Sequence, residues 1–200
     1  MQNNKRNYST KNMVLGALLT AIVVVLQYLG QFIHIGPFAI SLVLIPIVIG
    51  SAVCGKAVAA WLGFVFGIVV LITDAAAFLA VSIVGTVVTV ILKGTLAGFV
   101  AAIVYSAFAK KNKFVATLLA AIVCPVVNTG VFLLGCFVFF FETIESWGLA
   151  LGFGGAIEYM FFGLAGANFL VELLTNIVLS PVIVRLIELV PGASGGKRKA

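Results

Sequence analysis

Residues 87–108 read VVTVILKGTLAGFVAAIVYSAF, a run of apolar and small residues with a single charged side chain, Lys93. In lipid, every backbone hydrogen bond must be made within the spanning segment, so a helix needs about 20 mostly apolar residues to cross. This stretch is long enough. It therefore predicts a membrane-spanning helix that carries one ammonium group in its interior.

The rest of the chain has the same character. Of its 200 residues, 63% are hydrophobic and 9% are charged, which leaves too little polar surface to cover a soluble globule. We predict an all-α membrane protein, a bundle of six transmembrane helices at about 13–33, 38–55, 57–74, 80–108, 114–140 and 162–190. The second and third are short for spans, and a short helical hairpin or a tilted pair would account for them equally well.

The placement of charge predicts an orientation. Lysine and arginine cluster before the first span, between the second and third, between the fourth and fifth, and after the sixth, whereas the opposite connections carry His34, Asp74, Glu142, Glu145 and Glu158. Basic loops mark the cytoplasmic side. We therefore expect both termini in the cytoplasm, with a basic segment 1–12 before a single transmembrane domain 13–190 and a basic tail 191–200. The net charge of +6 is then a topology signal and does not indicate nucleic-acid binding.

Ionisable groups inside spans are costly to bury and are candidates for function. Lys93 lies in the fourth span, and Glu172 lies in the sixth, flanked on one helical face by Asn168 and Asn176. With a rise of about 1.5 Å per residue, Lys93 and Glu172 lie roughly 12–15 Å below the outer ends of their helices. Asn128 in the fifth span falls at a similar level, so three helices present polar groups at one depth.

Two interpretations of these polar groups stay open. Lys93 and Glu172 could form a buried ion pair that locks the bundle, with the asparagines as interhelical hydrogen bonds. Alternatively, they line a pocket open to the outside, where Lys93 meets an anionic group while Glu172, Asn168 and Asn128 accept hydrogen bonds. The pair could also form only when the pocket is empty.

Nothing in the sequence indicates an enzyme, a metal site or any other cofactor. The three cysteines show no CxxC or Cys/His ligand spacing, and no HExxH motif occurs. The only histidine, His34, stands beside Gly36-Pro37 with no carboxylate near it in sequence.

Two further patterns concern packing and the outer surface. Gly63-xxx-Gly67 and Gly94-xxx-Gly98 permit close helix approach, and internal packing is the simpler explanation for each. The connection at about 141–161 mixes aromatic residues with glycine. It is either an anchor at the level of the lipid headgroups or a segment that folds over a site.

The chain resembles the S components, the substrate-binding membrane subunits, of energy-coupling factor (ECF) vitamin transporters. The resemblance covers nearly the whole chain and lies in four segments: Ala17-Leu-Leu-Thr-Ala21, Gly36-Pro37-Phe38 with Leu44-Ile45-Pro46-Ile47-Val48-Ile49-Gly50, Leu92-Lys93-Gly94-Thr95-Leu96-Ala97-Gly98, and Cys124-Pro125-Val126-Val127-Asn128-Thr129-Gly130.

What the resemblance implies is a multi-pass protein of the bacterial cell membrane that works with a transmembrane T component and two ATPase subunits. Small residues placed as Ala17 and Ala21 would face the T component. The vitamin would bind near the outer surface, beneath loops that correspond here to the regions of His34, Asp74 and Trp147. His34 and Trp147 thereby join the candidate binding residues.

The substrate is the least determined feature. A buried Lys93 favours a carboxylate or phosphate, so an anionic vitamin such as pantothenate is expected first, with riboflavin-type compounds, folate, a cobalamin precursor or a queuosine precursor as alternatives. A thiamine-type cation would instead rely on Glu172 with Trp147 and Tyr159. The competing interpretation is a structural or assembly membrane protein in which Lys93 and Glu172 only hold the bundle together.

Overall fold

The computed structural model describes residues 2–30, 32, 34–35, 38–39 and 42–189, and these residues are almost entirely helical. The helices, with one two-stranded antiparallel pair, follow in the order α1 Gln2–Gly30, β1 His34–Ile35, β2 Phe38–Ala39, α2 Leu44–Val53, α3 Lys56–Thr73, α4 Ala76–Val81, α5 Ile83–Phe108, α6 Lys113–Phe139, α7 Phe141–Ala150, α8 Ala156–Glu158, a π-helix Tyr159–Gly166 and α9 Ala167–Leu189.

Within the described ranges, five helical segments are long and apolar enough to cross a membrane: Asn12–Gly30, Lys56–Thr73, Ile83–Phe108, Lys113–Phe139 and Ala156–Leu189. The chain is therefore a helical membrane protein, as predicted. Where the sequence predicts a second span at about 38–55, the described helix α2 has 10 residues, which is about 15 Å of helix against a hydrocarbon core of about 30 Å. The count of six spans stays a prediction.

Helices α1 and α3 run in the same direction. Gly16, in the first half of the apolar part of α1, lies against Val58 at the start of α3. Gln27, near the end of α1, reaches Asp74 at the end of α3. Two consecutive long helices can be parallel only if the chain between them returns to the starting side, and α2 lies on that return. Most of α2 is buried, in agreement with a position inside the bundle.

The tightest helix pair is α3 with α5, and glycine makes it possible. A Cβ atom on Gly63 would collide with the carbonyl oxygen of Gly94, and one on Gly98 would collide with the carbonyl oxygen of Ala59. Small residues let helix backbones approach this closely in a membrane. The two glycine motifs thus pack against each other inside the bundle, as expected. Because the later residue of α3, Gly63, meets the earlier residue of α5, Gly94, the two helices are antiparallel.

The next pair, α5 and α6, is also antiparallel, because Gly85 at the start of α5 lies against Phe139 at the end of α6, and Thr89 lies against Gly135. The residues around the start of α9 line the same cavity as the second half of α6, so α9, which packs on α6, runs antiparallel to it. Both ends of the described chain consequently lie on one side of the bundle. That this side is cytoplasmic remains a prediction from the basic residues.

The segment at 141–161, expected as a connection, is largely helical. It forms α7, turns at Gly152 and Gly155, which have positive φ angles of 87° and 148°, and continues as α8 into a π-helix. The last apolar segment therefore begins at Ala156, earlier than the expected start near 162. At the other end of the chain, α1 extends back to Gln2, into the predicted N-terminal segment, whereas the predicted tail 191–200 lies outside the described residues.

Candidate functional site

One cavity lies at the end of the bundle where α3 and α6 end and α5 begins. It is lined from α1, α3, α4, α5, α6, the π-helix and α9, and its space not occupied by protein atoms, the open mouth included, is about 860 Å³. Its polar lining consists of Gln27, Asp74, Thr86, Thr89, Lys93, Asn128, Thr129, Asn168 and Glu172.

Four of the six predicted binding residues meet in this cavity: Lys93, Asn128, Asn168 and Glu172. They come from three helices, α5, α6 and α9, so their convergence depends on the tertiary fold. The estimate of a common depth on three helices is in agreement with this placement. Their role in binding a ligand is taken up below as a proposal.

Lys93 is partly buried and belongs to a polar stripe along α5 that includes Thr86 and Thr89, at the spacing that puts residues on one helical face. The start of α5 is fixed by Ser82, whose Oγ accepts a hydrogen bond from the backbone N–H of Gly85 at 3.2 Å. The stripe therefore begins in the first turns of a capped helix.

The Lys93 ammonium lies over two aromatic rings. Nζ is 5.7 Å from the centroid of Phe66 on α3 and 5.2 Å from the centroid of Phe132 on α6. Cations within about 6 Å of a ring centroid are attracted by the ring quadrupole, more strongly where water is excluded. The two rings thus hold the ammonium between α3 and α6, at the wall of the cavity.

Two carboxylates act electrostatically on Lys93, those of Glu172 and Asp74. Glu172 is 5% exposed. Asp74 follows the last residue of α3, where its Oδ2 accepts hydrogen bonds from Gln27 Nε2 at 2.6 Å and from Thr73 Oγ1 at 2.9 Å. The ammonium therefore already has compensating charge from the protein, which weakens the argument that burial alone demands an anionic ligand.

Gln27 and Asp74 are site residues that the sequence prediction left out. Asp74 entered as an acidic residue of an outer connection and as the position of a loop above the expected vitamin site, but not as a binding residue, and Gln27 was not considered. A signal for Gln27 did exist, since it is a polar residue inside the apolar run of α1. Gln27 lines the cavity because α1 packs on α3, and the sequence does not reveal that contact.

The asparagines differ in their surroundings. Asn128 is 6% exposed and lines the cavity, as does the partly buried Asn168. Within the described part of the chain, their Oδ1 atoms and the Oγ1 atom of Thr89 are buried and have no hydrogen-bond partner. Asn176 does not line the cavity, and its Nδ2 donates to the backbone carbonyl of Glu172 at 2.8 Å, while its Oδ1 also has no partner among the described residues. The first two asparagines thus belong to the site, and Asn176 supports the helix behind it.

Trp147 lies one layer outside the cavity lining. Its ring packs edge-to-face on Phe78 of α4, with centroids 5.5 Å apart at 78°, and Phe78 itself lines the cavity. Phe78 makes a second edge contact with Phe140, at 5.2 Å and 84°. Phe78, Phe140 and Trp147 therefore pack together along one wall of the cavity. Trp147 contacts this wall only through Phe78, whereas the sequence analysis placed it among the candidate binding residues.

The other predicted residues have different placements. His34 has its backbone in β1, paired with Ala39, and its side chain lies outside the described part of the structure. Ala17 and Ala21 are exposed on α1, on the face that does not pack against the rest of the bundle. That exposure leaves both alanines accessible to lipid or to another membrane protein.

The π-helix at Tyr159–Gly166 is a feature that the sequence did not signal. Leu164 and Ala165 in it line the cavity directly before Asn168. A π-helical insertion re-aims the residues that follow it and is often found at functional sites. Here it precedes the two turns of α9 that carry Asn168 and Glu172.

Comparison with known proteins gives one result. The family model described as "ECF transporter, substrate-specific component" matches residues 11–187. No curated protein matches the chain significantly, and no solved structure does so either.

Proposed function

Because the chain belongs to the family of substrate-specific components of ECF transporters, we propose that the cavity around Lys93 is where it captures its substrate, a water-soluble vitamin or related micronutrient. The observation that supports this site is the convergence of Lys93, Asn128, Asn168 and Glu172 from three helices on one cavity. Ionisable groups in membrane segments typically line substrate pathways.

The proposed direction of capture is from outside the cell. The cavity lies at the end of the bundle where α3 ends and α5 begins, and Lys56 and Lys113 start helices at the opposite end. If the basic end is cytoplasmic, as the positive-inside rule predicts, then the cavity is in the outer half of the bundle. The subunit would load there before it delivers the substrate inward.

Each polar group has a distinct part in this proposal. Lys93 offers an ammonium to an anionic group on the substrate, and Asn128, Asn168 and Glu172 offer acceptors. Phe66, Phe78 and neighbouring rings supply the apolar surface that small-molecule sites generally have. Pantothenate, which carries a carboxylate, is the first compound to test, followed by folate and riboflavin-type compounds.

Delivery requires partners. The family implies a transmembrane T component and two ATPase subunits, and we propose that the exposed Ala17 and Ala21 on α1 contact the T component in the bacterial cell membrane. Small residues at this spacing let a second helix approach closely. In this arrangement, ATP hydrolysis belongs to the partner subunits and the present chain supplies specificity.

The test is a thermal-stability screen of the purified, detergent-solubilised protein against water-soluble vitamins. A ligand that binds only the folded state stabilises it by about 2.7 kcal/mol at one hundred times its Kd, so one compound should raise the Tm in a concentration-dependent way. Lys93→Met should reduce that shift for the same compound. If no vitamin changes the Tm of well-folded protein, substrate capture in this cavity is wrong.

A further inference from the structure

The cavity contains more hydrogen-bond acceptors than the protein itself satisfies. Thr86 Oγ1 donates to the backbone carbonyl of Ser82 at 2.7 Å, as threonines in helices commonly do. The hydroxyl of Thr89, one turn later and 4% exposed, has no hydrogen-bond partner among the described residues, and Oδ1 of Asn128 and of Asn168 accepts no hydrogen bond from them. A buried polar atom without a partner costs about 1–3 kcal/mol, so a site built this way gains from a ligand that donates.

The charged residues that line the cavity also favour a ligand that donates hydrogen bonds. Its described ionisable lining is one ammonium, Lys93, and two carboxylates, Asp74 and Glu172. A substrate that brings only an anionic group interacts favourably with Lys93 but adds a third negative charge near the two carboxylates. A substrate that also carries polarised N–H hydrogens offsets this repulsion.

An N–H group suits this lining better than a hydroxyl. Of the five unpartnered side-chain atoms in the described residues, two amide oxygens and one hydroxyl oxygen belong to residues that line the cavity, and those of Thr95 and Asn176 lie outside it. An amide, ring or ammonium N–H donates without presenting lone pairs of its own to the nearby carboxylates. The asparagine amides can turn about their last torsion angle at little cost, since that torsion is broad. They can thereby aim Oδ1 at a donor on the ligand.

We infer that the substrate carries an anionic group, which interacts with Lys93, and in the same molecule at least one N–H donor for Asn128 and Asn168. This inference rests on the proposed function and narrows its substrate class. It excludes acids without N–H groups, and it also excludes N–H-bearing compounds that have no anionic group.

The first experiment is the thermal screen with chemically matched probes. Biotin and lipoate carry the same carboxylate-bearing arm, but the ring of biotin has N–H groups and that of lipoate has none. Pantothenate and nicotinate form a second pair of acids, with and without an amide N–H, and nicotinamide has an amide N–H without an anionic group. The compound with the largest concentration-dependent rise in Tm should combine both groups.

The second experiment uses three matched substitutions, Asn128→Leu, Asn168→Leu and Asn176→Leu, with the best compound of the screen. The first two remove amides of the cavity and should each weaken binding about tenfold, the loss expected for one buried hydrogen bond. Asn176→Leu removes a buried amide outside the cavity and should leave the Kd unchanged within about twofold. The Tm of each variant without ligand shows whether it is folded.

The outcomes separate this inference from the proposed function. A best compound that lacks an N–H donor or lacks an anionic group overturns the inference and leaves substrate capture standing. Equal Kd values for Asn128→Leu, Asn168→Leu and Asn176→Leu overturn it too. If no compound raises the Tm, the proposed function fails and the inference fails with it.

Discussion

Gln27 Nε2 donates a hydrogen bond to Asp74 Oδ2 at 2.6 Å, and this bond joins the end of α1 to the end of α3 at the cavity. Both residues line the cavity, and Asp74 also acts on Lys93 electrostatically. The same helix α1 exposes Ala17 and Ala21 on another face. One helix therefore carries both a wall of the proposed binding site and the proposed docking surface.

Replacing Gln27 by Met should loosen this connection. Asp74 would lose a hydrogen bond to a charged acceptor, worth about 1.5–3 kcal/mol, and we expect a lower Tm together with weaker substrate binding. Thermal unfolding and a binding titration on the purified subunit measure the two effects. Thr20→Val is the matched control, because it removes a hydrogen bond between α1 and α3 that does not involve Gln27, the one from Trp61 Nε1 to Thr20 Oγ1 at 3.3 Å, which is exposed and away from the cavity. Similar losses in both variants would mean that the Gln27 bond is only structural.

Replacing Lys93 by Met should weaken binding of an anionic substrate at least tenfold while the protein stays folded, since the loss of a charge-assisted contact is worth about 1.5–3 kcal/mol. Phe66 and Phe132 can pack on the thioether, so the apolar contacts of the site are largely kept. Lys56→Met, at the exposed start of α3, is the control for a general effect of charge. An unfolded or aggregated Lys93→Met protein would instead favour the interpretation of Lys93 and Glu172 as a structural ion pair.

The sequence predicted the polar centre of the cavity because burying an ionisable group in lipid is costly, so Lys93 and Glu172 stood out against their surroundings. Orientation and helical rise then brought Asn128 to a similar level, and Asn168 followed from its position one turn before Glu172 on the same helical face. Gln27 and Asp74 did not stand out in this way. Gln27 is an uncharged polar residue within the apolar run of α1, and Asp74 belongs to a short connection. Only the packing of α1 on α3 makes them part of the site.

The length of α2 and the π-helix were equally beyond the sequence pattern. An apolar run from about 38 to 55 satisfies the composition of a span, but Leu44–Val53 is enclosed by neighbouring helices, and burial by protein selects for the same apolar residues as lipid does. The π-helix Tyr159–Gly166 has only eight residues, and over that length its sequence pattern does not differ from that of an α-helix. Tertiary contacts decide both features.

The close approach of α3 and α5 predicts a large difference between two glycine substitutions. A Cβ atom on Gly63 would collide with the carbonyl oxygen of Gly94, so Gly63→Ala must push the helices apart, and overpacking of this kind costs about 1–3 kcal/mol. Gly130 in α6 has no atom within 4 Å of an added Cβ, so Gly130→Ala should be neutral or stabilising by about 0.5–1 kcal/mol through helix propensity. Tm values measured side by side provide the check, and an equal fall in both would contradict the packing described for α3 and α5.

The exposed alanines of α1 predict a separation of binding from transport. Ala17→Leu and Ala21→Leu add bulk on a face that does not contact the rest of the bundle, so the isolated subunit should keep its Tm and its substrate Kd. Close helix approach depends on small side chains, and the same variants should therefore lose co-purification with the T component and ATP-dependent uptake in reconstituted vesicles. Ala107→Leu, also exposed but on α5, adds the same bulk elsewhere and should keep both activities. Uptake that survives in the α1 variants, or that is lost equally with Ala107→Leu, would place the T component on another surface of the bundle.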